Sequence, residues 1–152
     1  MLRIRQNSEF GIRNSEFIDD FIPNSAFYIH NSPMRLLRLR GRKTCDRVLR
    51  LGRVWKGKTM LVRWLPGVPR NEPKTRQGIY IGTLASTKLD KSAVKRNRMR
   101  RRCREGFRLA LKAKTASSTS VQLLVSPRSS SLTGSFADIQ IDVAKLLSQL
   151  PS

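Results

Sequence analysis

Residues 95–105 read KRNRMRRRCRE, and seven of those eleven positions are Lys or Arg. Like charges one turn apart each disfavour an isolated helix by about 0.2–0.5 kcal/mol. A stretch this dense therefore stays helical only if one side is anchored to something apolar, and that requirement constrains the fold more than any other part of the chain. The anchor is legible. With successive residues turned by about 100°, Met99, Cys103, Phe107 and Ala110 form one stripe, joined by Gly106. Arg98, Arg100, Arg101, Arg102, Arg104 and Arg108 fall outside it. Ser92 is a suitable N-cap, so the spacing predicts a helix over 93–112 with one packed face and one basic face. A disordered basic tail would have no use for the stripe. Asn97 lines up with Arg101, Arg104 and Arg108, an arrangement suited to forked hydrogen bonding with phosphates and sugars.

The charge has a boundary. The chain carries a formal net charge of +21, yet residues 1–33 hold three basic and four acidic residues, so residues 34–152 carry a net +22. Such an excess repels itself, is not needed for folding, and points to a polyanionic partner, nucleic acid or an acidic membrane surface. The first segment repeats NSEF at 7–10 and 14–17, NSAF at 24–27 and NSP at 31–33, with steps too short and irregular for a solenoid. We expect 1–33 to be a disordered extension, either an artefact of the start site with Met34 as the true beginning or a real arm, and 34–152 to be one folded domain. His30, the only histidine, lies in the extension and is expected to be inert. No apolar run approaches the ~18–20 residues of a membrane-spanning helix, and the start lacks the pattern of a secretory signal. A cytoplasmic protein with reduced thiols at Cys45 and Cys103 is expected.

From Met34 onward, 35–42 form a basic lead-in. Residues 43–51 place Cys45, Val48, Leu49 and Leu51 at helical spacing, with Gly52 as the stop. Trp55 lies in a short connection or brief strand. Residues 58–65 alternate, with Met60, Val62 and Trp64 on one face and Leu61, Arg63 and Leu65 on the other. Residues 66–76 hold three prolines and form a loop, and 78–85 form a strand. After the basic helix comes a Ser/Thr-rich link, a buried strand at 121–125, a turn, and a last helix at 136–150. Its stripe is Phe136, Ile139, Val143, Leu146, Leu147 and Leu150, and Ser135 with Asp138 forms a capping box. This order fits a small two-layer α+β sandwich.

Catalytic chemistry made of protein groups is not legible. Residues 34–152 hold no histidine, and Asp46, Glu72, Asp90, Glu105, Asp138 and Asp142 stand singly, without a general acid–base pair or metal-ligand company. Both cysteines fit apolar helix faces. Glu105 is expected to pair with neighbouring arginines.

The stretch TKLDKSAVKRNRMRRRCREGFR, 87–108, closely resembles the signature helix of the bacterial ribonuclease P protein family. RVLRLGRVWKG resembles that family's first helix and turn, and VQLLVSPR with SFADIQIDVAKLL its last strand and helix. The likeness covers almost all of 34–150. The resemblance implies a four-stranded sheet packed by three helices, with a left-handed crossover at the signature helix. It implies a subunit, one per RNA, of a ribonucleoprotein whose catalytic RNA, with bound Mg²⁺, removes the 5′ leader of precursor tRNA. By the same resemblance Arg96, Asn97, Arg98, Arg100, Arg101 and Arg104 face the catalytic RNA. A cleft between the first helix and the sheet holds the leader, at positions that here carry Cys45, Leu49, Trp55, Arg63, Ser86 and Lys88. Family members favour aromatics in that cleft for base stacking; this chain has Cys45, Leu49 and Arg63 there, and Thr87 in place of a frequent lysine. A structural RNA-binding protein such as a ribosomal protein would share the composition but not the spelling of 87–105. A protein-only nuclease would need clustered carboxylates, which the chain lacks.

Overall fold

The computed structural model describes residues 34–112 and 119–151. The extension 1–33 and most of the Ser/Thr-rich link lie outside the described residues. The elements are β1 (Leu36–Arg38), α1 (Arg42–Leu51), β2 (Arg53–Lys56), β3 (Met60–Pro66), β4 (Ile79–Thr83), α2 (Ala93–Lys112), β5 (Val121–Pro127), α3 (Ser130–Thr133) and α4 (Phe136–Gln149). The strands form one mixed sheet in the order β1-β4-β5-β3-β2. The pairs β1–β4 and β4–β5 are parallel, whereas β5–β3 and β3–β2 are antiparallel.

The side-chain alternation of β3 sorts the core. Met60, Val62 and Trp64 face a large cluster with Ile79, Ile81, Val121, Leu123 and Val125 of the neighbouring strands. That cluster is closed by Cys103, Phe107 and Leu111 of α2 and by Ile139, Val143, Leu146 and Leu147 of α4. The opposite side of the sheet carries a smaller cluster of Leu39, Val48, Tyr80 and Leu124, onto which Cys45 and Leu49 of α1 pack. The central strand β5 contributes to both clusters, which is why VQLLV reads as a continuous apolar run rather than an alternating one.

Element by element, the basic helix spans the residues expected of it. Its buried stripe is Met99, Cys103, Gly106, Phe107 and Leu111; Leu111 takes the deep place expected of Ala110, which is only half-buried. Gly106 is needed for close approach: a Cβ there would lie 2.8 Å from Ile139 Cγ2 of α4. The first helix begins one residue early, after Gly41, whose φ of 92° suits glycine. The strand expected at 58–65 starts at Met60, because Lys58 and Thr59 form the hairpin turn after β2. The turn before α4 contains the single-turn helix α3. The basic lead-in is corrected to a strand. Leu36–Arg38 pairs in parallel with Ile79–Ile81, making the sheet five-stranded instead of four-stranded. Three residues of RLLRLRGR carry too little periodicity to declare a strand; pairing with a partner some forty residues away supplies its hydrogen bonds.

One buried polar contact joins the hairpin to the last helix. The Asp142 carboxylate Oδ2 accepts from the Thr59 backbone N–H at 2.6 Å and from the Thr59 hydroxyl at 2.7 Å. Both residues are buried, at 5% and 0% exposure. Asp142 occupies a polar place beside the apolar stripe of α4, so its role depends on a turn distant in sequence. At the start of α4, Ser135 caps as expected, its hydroxyl accepting from the Asp138 N–H at 3.2 Å.

Asp142→Ala strips two buried donors of their acceptor and is expected to cost on the order of 1–3 kcal/mol. Urea unfolding should show a lower midpoint with an unchanged slope, while the neighbouring exposed Gln140→Ala should move it by less than ~0.5 kcal/mol.

Candidate nucleic-acid interface

With its stripe buried against the sheet and α4, α2 turns its remaining side chains outward. The arginines expected to be equivalent divide into two groups. Arg96 Nη1 donates to the Asp90 and Lys91 carbonyls at 2.7 and 2.8 Å. Arg100 donates to the Ala85 carbonyl at 3.0 Å and to Asn97 Oδ1 at 3.1 Å. These two side chains brace the loop between β4 and α2. Arg102 donates to the Leu132 and Gly134 carbonyls at 2.6 and 2.7 Å, tying α2 to the end of α3. Each such bond satisfies a carbonyl that the loop leaves without a backbone partner.

Arg98, Arg101 and Arg104 are exposed and have no hydrogen-bond or carboxylate partner among the described residues. Asn97 is exposed beside Arg100. Glu105 is claimed by Arg108, whose Nε donates to it at 2.8 Å, and this bond holds the Glu105 carboxyl below the usual carboxylate range. The outward face therefore offers guanidinium groups whose donors are available to an external polyanion.

The second expected surface is more divided. Cys45 and Leu49 are brought together on α1, where they pack half-buried on the smaller cluster. Arg63 reaches them from β3, donating to the Leu49 carbonyl at 2.6 Å near the C-terminal end of α1, where carbonyls lack intrahelical partners. Ser86 and Lys88 are exposed on the β4–α2 loop. Trp55 is not brought to this group. It pairs with Val62, so the two-residue alternation sends it to the α2–α4 side, where it packs on the larger cluster.

What the expectations missed on this side is a groove of about 940 Å³ along the outer face of α1. Lys43, Arg47 and Arg50 line it from the helix and Arg70 and Asn71 from the β3–β4 loop, with Asp46 the acid among them. Asn71 holds the loop against the helix start, donating to the Arg40 carbonyl at 3.1 Å and accepting from the Thr44 hydroxyl at 3.2 Å. The spacing of Lys43, Arg47 and Arg50 was a readable signal; the arrival of Arg70 was not.

Among the described residues no three His, Cys, Asp or Glu side chains gather as a metal site. Several of the acids are engaged in ion pairs, Asp138 with Lys58, Glu72 with Arg76, Asp90 with Lys95 and Glu105 with Arg108. Both cysteines are free thiols. Burial pushes the Cys103 thiol up to about 11 and raises that of Cys45 as well, so both remain in the unreactive protonated form at neutral pH. No helix among the described residues is long and apolar enough to cross a membrane.

The Ribonuclease P family pattern matches residues 34–151 of the chain. In structure the chain is similar to the RNase P protein from Thermotoga maritima, with a TM-score of 0.59 at 19% identity over 76% of this chain and 98% of that one. It is also similar to the RNase P protein of Staphylococcus aureus, with a TM-score of 0.56 at 19% identity over 75% of this chain and 94% of that one. At these identities the structural likeness is one of fold. No curated protein matches the sequence.

The division among the arginines is measurable on the free protein. Arg102→Ala leaves two carbonyls without their charged donor and should lower stability by about 1–3 kcal/mol. Arg101→Ala, one residue away and outward, should stay within ~0.5 kcal/mol of the parent in the same thermal melts.

Proposed function

The chain belongs to the ribonuclease P protein family, and on that premise we propose that it is the protein subunit of a ribonucleoprotein endonuclease that removes the 5′ leader of precursor tRNA. In this reading α2 lies against the catalytic RNA through Arg98, Arg101 and Arg104. Arg96, Asn97 and Arg100 shape the surface beside them, and the α1 side of the sheet holds the leader. The observation that carries the reading is the construction of α2 itself: a helix anchored by a buried stripe, with guanidinium groups on the far side that the fold does not use.

The chemistry follows from what the side chains can supply. The RNA, with its bound Mg²⁺, provides the hydrolytic centre; the scattered acids of the protein are unsuited to hold that ion. The protein lowers phosphate–phosphate repulsion when catalytic RNA and precursor come together, by placing fixed cations between them. Arg98, Arg101 and Arg104 exchange hydration for forked, charge-assisted bonds to phosphate oxygens. One protein per RNA, working in a bacterial cytoplasm, completes the proposal.

Reconstitution with a compatible catalytic RNA tests it. The protein alone should leave precursor tRNA uncut in Mg²⁺, and with the RNA it should raise cleavage at low Mg²⁺. Arg101→Ala with Arg104→Ala should melt like the parent but bind the RNA more weakly, the log–log salt slope falling by roughly 0.7–0.9 for each phosphate no longer neutralised. Met99→Ala should do the reverse, costing on the order of 2–5 kcal/mol of stability with little change in the salt slope of the folded fraction. Leader removal by RNA-free protein would refute the proposal.

A further inference from the structure

We infer that this chain grips the leader by its phosphates, in the groove between α1 and the β3–β4 loop, and not by stacking on its bases. The inference rests on the leader-binding reading above and specifies how that surface works. The groove of about 940 Å³ presents Lys43, Arg47 and Arg50 in a row down α1, with Arg70 facing them from the loop. None of the four has an ion-pair or hydrogen-bond partner among the described residues. Asp46 is the acid in the lining, so the groove is strongly cationic. The first turn of α1 has no acidic residue and begins with Arg42 and Lys43. Cations there oppose the helix dipole, a placement that helix stability alone would not favour and that an anionic ligand reverses.

Among the described residues, the rings that would stack bases are elsewhere. Trp55, Trp64, Phe107 and Phe136 belong to or pack on the cluster beneath α2 and α4, across the sheet from α1. Arg53 covers the Trp64 ring, its guanidinium carbon 5.2 Å from the ring centroid. Tyr80 faces the α1 side but is 1% exposed, with its hydroxyl donating to the Arg76 carbonyl. Leu51, beside the cations, is 61% exposed and offers apolar contact without a π face. Phosphate contacts bind every sequence alike, whereas base contacts discriminate. Binding of the leader by this chain is therefore indifferent to base identity and steep in salt.

The full chain, reconstituted with the catalytic RNA transcribed from the same genome, is titrated with precursor tRNA, with the same precursor carrying an abasic leader, and with mature tRNA. The protein should favour the precursor over mature tRNA. The abasic leader should retain that preference within about threefold, against the roughly 5- to 150-fold per base expected where stacking carries the affinity. Two double variants, Lys43→Ala with Arg70→Ala and Arg47→Ala with Arg50→Ala, should each reduce the preference while leaving mature tRNA binding unchanged. Each should also lower the salt slope by roughly 0.7 for every leader phosphate left without its cation. Thermal melts verify that each variant is folded, and Arg47→Lys with Arg50→Lys should restore most of the preference. Collapse of the preference with the abasic leader, or parental binding by both folded variants, overturns the inference. No preference for precursor by the parent overturns the leader-binding reading itself, and the inference with it.

Discussion

Everything on the basic side of this protein depends on the seat of α2. Each large apolar side chain removed from water there contributes about 1.5–3 kcal/mol. Met99, Phe107 and Leu111 are each buried to 1% exposure or less, with Cys103 and Gly106 between them. The repulsion among neighbouring arginines amounts to a few tenths of a kcal/mol per pair at the surface. Burial therefore wins, and the fold can carry a charge density that no free helix would hold. The closeness of α2 and α4 at Gly106 and Ile139 sets how deep that seat is.

The same residue type then performs two different tasks along one helix. Arg96, Arg100 and Arg102 satisfy carbonyls at loop and helix ends, where an Arg fork can reach two acceptors at once. Arg98, Arg101 and Arg104 have no such acceptor among the described residues. The difference is positional: Arg96 and Arg100 lie beside the loop that enters the helix and Arg102 beside the end of α3, whereas Arg98, Arg101 and Arg104 face no such segment among the described residues. The sheet separates this surface from the α1 groove, so a single small domain presents cations in two directions.

Asp142 shows how a polar residue can be decisive in a core and invisible beforehand. Its carboxylate is worth burying only because two donors of Thr59 converge on it at 2.6 and 2.7 Å. The turn that aims those donors also sets where β3 begins, so this buried contact registers hairpin and last helix, with the exposed Lys58–Asp138 pair beside it.

Residues 93–112 as a helix, its apolar and basic faces, the α4 stripe with its Ser135 cap, and the two faces of β3 were legible in the sequence, because periods of 3.6 and 2 are local properties of a chain. The charge imbalance beyond residue 33 and the signature run were equally readable, and they carried the family assignment. What only the tertiary structure decided was everything that requires distant segments to meet. Leu36–Arg38 became a strand by pairing with β4. Arg102 became a brace because α3 ends beside it. Trp55 packs away from the α1 side expected of it because its partner Val62 points to the other side. Arg70 joined the α1 groove because Asn71 pins its loop there. Hydrogen bonds and burial are satisfied by whatever the fold brings near, and no local pattern records which distant residue that will be.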